Sequence, residues 1–293
     1  MNNIYRNKPA IILFLLPAAI LFFSIIVIPV IMSVYYSLQD WDGMSDMKFV
    51  GFDNYIKLFT SSTINFPQSL LNAVLYMSAS VFIQLPFSLL LALLLARGRR
   101  GSRMFLSAYF IPVLLSTVVI GQLWLKIYNP DYGLLNQGLS ALGLESWAKA
   151  WLGDRGTALV AAFIPTMWQF TGYHMLLMYA GIQGVPNEIK EAALIDGASE
   201  SQINRKIIIP MIKPVLRVCL IISVTGSLKI FDMVYILTGG GPAHATEVPS
   251  TLLYSRMFLR NQYGLGSAIA VLLIALCMIL AIVIRKSFKT EVD

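Results

Sequence analysis

Charge is what this chain has least of. Asp, Glu, Lys and Arg make up 13% of its 293 residues, against roughly 25% in a soluble domain. The uncharged stretches are long, apolar residues reach 57% and the mean hydropathy is +0.71, which places the chain in a bilayer. Cysteine is nearly absent. Cys219 and Cys277 both sit in apolar runs and read as small buried hydrophobes, so neither a disulfide framework nor a zinc site follows. His174 and His244 are isolated, and no His, Cys or carboxylate cluster has metal-ligand spacing. A GxxxxGK[ST] loop is missing, so the chain is not expected to hydrolyse ATP. No Ser/His pair or carboxylate pair suggests an enzyme, no catalytic residue is assigned, and there is no internal repeat or low-complexity tract. The net charge of +7 does not require nucleic acid, because positive residues at the cytoplasmic ends of helices give the same total.

What is present is a series of apolar runs. A helix crossing the hydrocarbon needs about 20 residues, and six candidates are long enough: Ile11 to Leu38, Ser69 to Ala96, Met104 to about Leu125, roughly Thr157 to Ile182, roughly Met211 to Leu237, and Leu265 to Ile284. The first follows Arg6 and Lys8 but is about twice the length of a signal-peptide apolar region and has no A-x-A-like site, so it reads as a retained span. At 1.5 Å per residue it reaches about 42 Å, so it should tilt or protrude, with Pro17 and Pro29 as kink points. Arg6, Lys8, Arg97, Arg99, Arg100, Arg103, Lys190, Arg205, Lys206, Lys213, Arg217, Arg285, Lys286 and Lys289 put 14 of the 22 Lys and Arg on one side. Both termini are therefore expected in the cytoplasm. The fold class expected is an all-α membrane protein with six transmembrane helices, residues 1–293 forming a single transmembrane domain.

Between the fourth and fifth runs lies a polar stretch, Glu191 to Pro210, reading EAALIDGASESQINRKIIIP. Pro186 suits the first turn of a helix running to about Asp196. Ile189, Ala192 and Ala193 share one face of it, and the two alanines leave room for a partner surface. Gly197 can take positive φ and end that helix, and Ser199 to Gln202 has the form of a capping box that starts a second one. Residues 186–210 thus read as helix, glycine turn, helix, with Pro210 at the entry to span five. The spacing of Glu191, Ala192, Ala193, Asp196, Gly197, Ile207 and Pro210 resembles the EAA motif of ABC importer permeases, with Ile209 where that family usually has Leu.

The resemblance covers nearly the whole chain. Residues 50–59 (VGFDNYIKLF), 106–136, 168–193 and 231–254 (FDMVYILTGGGPAHATEVPSTLLY) are similar to segments of sugar-importer permeases of the MalF and UgpA type. The chain lacks the extra N-terminal spans and large periplasmic insertion of the enteric maltose permease and resembles the compact six-span form. The resemblance implies a multi-pass protein of a bacterial or archaeal cell (inner) membrane that imports a carbohydrate of the oligosaccharide or glycoside kind. Glycerol-3-phosphate and polyol-derived ligands stay open. Implied partners are a second EAA-type permease, a dimeric ABC ATPase of the sugar-importer type, an extracytoplasmic sugar-binding protein, and membrane lipid. The chain itself holds no cofactor, and ATP and Mg belong to the ATPase. Glu191, Ala192, Ala193 and Gly197 are then the docking core of the ATPase-coupling segment.

The family's substrate pocket is built partly from spans four and five. Trp168, Gln169 and Tyr173 on span four, and the Gly226 region, Lys229 and Asp232 on span five, are the pathway candidates that follow. Lys229 and Asp232, three apart, are equally an internal ion pair. Asn72, Tyr76, Gln84 and Gln122 read first as helix cross-links. The Thr238–Pro242 run is either a simple turn or an outer gate. Secondary transport is the competing class, but only Asp232 offers an intramembrane carboxylate and no repeat supports it.

Overall fold

The computed structural model describes residues 8–98 and 101–288, with side chains from Ile11 onward. Arg6, Arg99, Arg100, Lys289 and the side chain of Lys8, all used above to orient the spans, lie outside the described residues. About 75% of the structure is helical. The first apolar run forms α1 (Lys8–Phe22) and α2 (Ile28–Ser37), followed by an antiparallel hairpin of β1 (Gln39–Asp40) and β2 (Lys48–Phe49), and then α3 (Asp53–Thr60). The second run is α4 (Phe66–Ala79) and α5 (Leu85–Leu95). Next come α6 (Ser102–Leu114), α7 (Thr117–Ile127), α8 (Leu134–Ala141) and the long α9 (Ala158–Gln183). The polar stretch holds α10 (Asn187–Ile195), α11 (Glu200–Ile203) and α12 (Ile209–Met211). The chain finishes with α13 (Lys213–Leu228), α14 (Asp232–Thr238), α15 (Pro249–Tyr254) and α16 (Tyr263–Ser287).

Prolines shape these helices in a regular way. Five-residue π-helical turns at Phe23–Val27, Ser80–Gln84 and Asn204–Ile208 each stop two residues before a proline, namely Pro29, Pro86 and Pro210. In each, the residue before the proline donates its N–H to the carbonyl five residues back: Ile28 to Phe23, Leu85 to Ser80, Ile209 to Asn204. A proline ring would collide with the carbonyl four residues earlier, and the wider turn makes room for it. The helix therefore passes through Pro210 instead of starting a span there.

By length and apolarity, Ile11–Ser37, Phe66–Leu95 and Tyr263–Ser287 can each cross a membrane. The expected third span is broken: α6 and α7 meet at 98° across Leu115 and Ser116, with the Ser116 hydroxyl capping α7 by accepting from the Val118 N–H. The expected fifth span is also not one helix. A 70° bend at Ile212 separates Glu200–Met211 from α13, and α13 ends at Leu228, three residues before α14. The fourth, α9, is long enough at 26 residues. Its buried Gln169, Thr171 and His174 make it less apolar than the other three. It packs against α5, α6, α7, α13 and α14, so protein rather than lipid surrounds much of it.

The chain forms two compact units. The smaller, Met1–Ile64 with Leu253–Ile274, holds the hairpin and α3. Its turn is pinned by Asp42, whose carboxylate accepts from the Ser45 and Met44 N–H groups, and those bonds hold its pKa down to about 2. The larger unit, Asn65–Leu252 with Ala275–Asp293, is built around α9. One of its cores gathers Ala92, Met175, Met178, Ile182, Ile203, Ile208 and Cys219; another gathers Tyr76, Ile120, Ala162, Phe163, Met233 and Val234. Gly172 lets α9 lie directly on α6, since a Cβ there would collide with the Tyr109 carbonyl. Polar side chains stitch the second apolar run to α13 and α9: Ser80 Oγ to Ser223 Oγ at 2.8 Å, Gln84 Nε2 to Met167 O at 3.0 Å, Ser88 Oγ to Thr171 O at 3.1 Å.

Candidate functional site

Two places in the larger unit carry the expected residues. The first is a cavity of about 480 Å³ walled by α4, α9, α13 and α14, a size typical of small-ligand sites. Gln169, Tyr173, Gly226, Lys229 and Asp232 all line it. Trp168 does not. It points away and meets Trp124 edge-on, with ring centroids 6.0 Å apart. Tyr76 and Gln84 also face the cavity, while Asn72 ties down the loop after α14 by donating to the Ala245 and Glu247 carbonyls.

The break between α13 and α14 forms part of the cavity wall, with Lys229, Ile230 and Phe231 on it. Backbone outside a helix at membrane depth is tolerated where it is covered by protein or lines a watery space. Among the described residues no ion pair joins Lys229 to Asp232, and both side chains are exposed. The internal ion pair that their spacing allowed is therefore not formed, because the helix breaks between them and the i, i+3 geometry is lost.

His174, Thr166, Phe170 and Phe231 were not among the candidates, yet they line the cavity. The signal was present, since Thr166, Gln169, Phe170, Tyr173 and His174 follow the helical period of α9 and mark one face. Gln169 Nε2 donates to the Leu115 carbonyl at 3.3 Å, but its Oε1 is buried with no partner, and so is His174 Nδ1. Buried polar atoms without partners cost free energy unless something else satisfies them. Aromatic faces from Tyr76, Phe170, Tyr173 and Phe231 surround these groups. The cavity combines flat apolar surfaces with unsatisfied hydrogen-bonding atoms and one charge of each sign.

The second place is the helix–turn–helix. Pro186 takes the cap position just before α10, not the first helical residue. Gly197 has φ +78°, its N–H reaches the Leu194 carbonyl at 3.0 Å, and the Ala198 N–H reaches Ala193 at 2.9 Å. This paired pattern with glycine in the left-handed region closes the helix C-terminus. Ser199 then starts α11: its N–H donates to Gln202 Oε1 at 2.7 Å, and its Oγ accepts from the Gln202 N–H at 3.4 Å. Glu191, Ala192 and Asp196 are exposed, whereas Ala193 and Ile207 pack against the core. Leu194 and Ile195, which sequence reasoning passed over, are 57% and 87% exposed. Asp196, Gly197 and Ile207 line a small cleft of about 240 Å³ with Gln202 and Lys206. Among the described residues no His, Cys, Asp or Glu cluster is suited to a metal ion.

Comparison with known proteins gives the family. Residues 84–290 match the family described as binding-protein-dependent transport system inner membrane component. The chain is 40% identical to the probable ABC transporter permease protein YurN of Bacillus subtilis, over 97% of this chain and 98% of that protein. It is 35% identical to the trehalose/maltose transport system permease protein MalF of Thermococcus litoralis, over 96% and 94%. The fold superposes on a chain of a bacterial alginate ABC transporter, solved with an alginate-bound periplasmic protein, with a TM-score of 0.85 and 21% identity over 97% of each chain. The chain is thus a multi-pass membrane protein and a transport component, not an enzyme, and it belongs to the binding-protein-dependent transport system inner membrane component family.

Proposed function

We propose that this chain is the carbohydrate-translocating permease subunit of a binding-protein-dependent ABC importer. One observation carries the reading. The helix–turn–helix at residues 187–211 runs through a single 70° bend at Ile212 into α13, and the far end of α13 is the cavity wall at Gly226–Lys229. A push on Glu191–Gly197 would thus be delivered through the second helix and the bend to α13 and the candidate ligand site.

In this reading both termini and the helix–turn–helix face the cytoplasm. The exposed Glu191, Ala192 and Ile195 dock on a dimeric ABC ATPase, which binds ATP and Mg. A second permease of the same kind completes the pathway, and an extracytoplasmic binding protein delivers ligand. ATPase closure moves α10 to α12 and rocks α13, opening the cavity outward; reset releases the ligand inward. The trehalose/maltose name of one relative and the alginate of the structural neighbour support a saccharide. Stacking faces beside the unpaired Gln169 Oε1 and His174 Nδ1 suit a ring bearing hydroxyls, and the single Lys and single Asp favour a neutral one. The test is purification from native membranes in mild detergent, followed by reconstitution with whatever copurifies. A second EAA-bearing permease, a Walker-motif ATPase and ATP-dependent sugar uptake are expected. A lone subunit or homodimer with ion-driven uptake would overturn the reading in favour of secondary transport.

A further inference from the structure

We propose that α3 is a membrane-surface helix, seated in the lipid headgroup layer at the end of the first span. Seven of its eight residues divide into three sectors, and the half-buried Tyr55 lies between two of them. Asn54 and Leu58 are 3% and 0% exposed and form the face turned onto the protein. Phe52, just before the helix, with Ile56 and Phe59, forms a stripe at i, i+4, i+7 that is 72%, 57% and 55% exposed. Asp53, Lys57 and Thr60 make the third sector, also exposed and entirely polar. An exposed surface split lengthwise into an apolar and a charged half matches the boundary between acyl chains and water.

The hydrogen bonds set the depth. Asn54 Nδ2 donates to the Ser37 carbonyl at 2.9 Å and to Gln39 at 2.8 Å, and the Tyr55 hydroxyl donates to Ser37 Oγ at 2.8 Å. Ser37 is the last residue of an apolar helix of 27 residues. At 1.5 Å per residue that helix spans about 40 Å, beyond the ~30 Å of hydrocarbon, so its end lies among headgroups. The last long helix starts at the same level. A Cβ on Gly264 would strike the Gln39 carbonyl, and Tyr263 lies 5.5 Å from Trp41, which lies 4.9 Å from Tyr36. Tyr36, Trp41, Phe52, Tyr55 and Tyr263 gather at this level, as aromatic residues do at membrane–water interfaces. Lipid is the occupant that fits, because α3 is hydrogen-bonded to the end of an apolar span long enough to cross the hydrocarbon and lies beside the gathered aromatic residues.

The experiment is nitroxide labelling of the full transporter in lipid nanodiscs. Labels are placed one at a time by Phe52→Cys, Ile56→Cys, Asp53→Cys and Lys57→Cys, with Cys219 and Cys277 replaced by Ala. ATP-driven uptake by each variant confirms assembly. The expected result is oxygen accessibility above that of water-soluble nickel chelate at positions 52 and 56, and the reverse at 53 and 57. High nickel accessibility at 52 and 56 would overturn the proposal by showing a hydrated helix. Low accessibility to both probes there would overturn it by showing a protein partner. A label introduced by Phe14→Cys in the first span tests the membrane reading itself, so its failure is told apart from that of α3.

Discussion

Arg97 Nε lies 2.8 Å from Glu200 Oε1, joining the end of α5 to the first turn of α11. Arg97 entered the sequence reading only as a positive charge that fixes orientation. In the structure it ties the second of the helix–turn–helix elements to the membrane bundle. Both side chains are partly exposed, at 31% and 59%, so the pair contributes at most about 1 kcal/mol to stability. Its importance would lie in holding the coupling segment in register.

Glu200→Arg should therefore leave the fold intact and lower uptake per ATP hydrolysed. The swap of Arg97→Glu with Glu200→Arg should restore much of it. Uptake and ATPase rates of reconstituted complexes read this out, and no rescue by the swap would remove the pair from the coupling path.

Gly197→Val places a β-branched residue at φ +78°. The strain is about 1–2 kcal/mol, enough to reshape the turn without unfolding the bundle. ATP hydrolysis should persist while transport falls steeply, with Gly197→Ala intermediate. Normal uptake in the valine variant would sink the coupling role.

Tyr173→Leu removes an aromatic face from the cavity and leaves the helix period of α9 unchanged. An aromatic contact is worth about 0.5–1.5 kcal/mol, so the uptake KM should rise about twofold to tenfold with ATPase coupling unchanged. Equal loss with every ligand, or loss of assembly, would argue for a structural role instead.

Lys229 and Asp232 are not paired with each other, so neutralising either does not strand its neighbour. Lys229→Met and Asp232→Asn should keep the melting temperature of the complex within a few degrees. They should instead change discrimination between neutral and anionic saccharides in competition assays, Asp232→Asn admitting anionic competitors better. A large drop in melting temperature in either variant would restore the structural role that their spacing suggested.

Gly172→Val meets the Tyr109 carbonyl and must push α6 off α9. Overpacking of this kind costs about 1–3 kcal/mol, and thermal unfolding in detergent should show it. An unchanged transition would mean the two helices yield freely.

Much of the helix–turn–helix was legible because its signals are local. A left-handed glycine, a Schellman closure and a capping box each involve residues within one turn, and Gly197, Ser199 and Gln202 carry them whatever surrounds them. The cavity was legible only in part. Gln169 and Tyr173 line it and Trp168 does not, because adjacent residues on a helix face about 100° apart; extending the helical period from Gln169 and Tyr173 reaches Thr166, Phe170 and His174 on the same face.

A helical membrane protein with a polar helix pair ahead of its fifth apolar run follows from the amino-acid order alone. Scarce charge, long apolar runs and cap chemistry suffice for that. Where the long helices break depends chiefly on what packs around them. At Ile212 the 70° bend comes directly ahead of Lys213 and Pro214; the apolar run continues through Leu115, yet α6 and α7 meet at 98° there, where both pack against α9. The break at Lys229–Phe231 is of the same kind. It forms where the cavity wall covers the freed backbone, and that cover comes from helices distant in the chain.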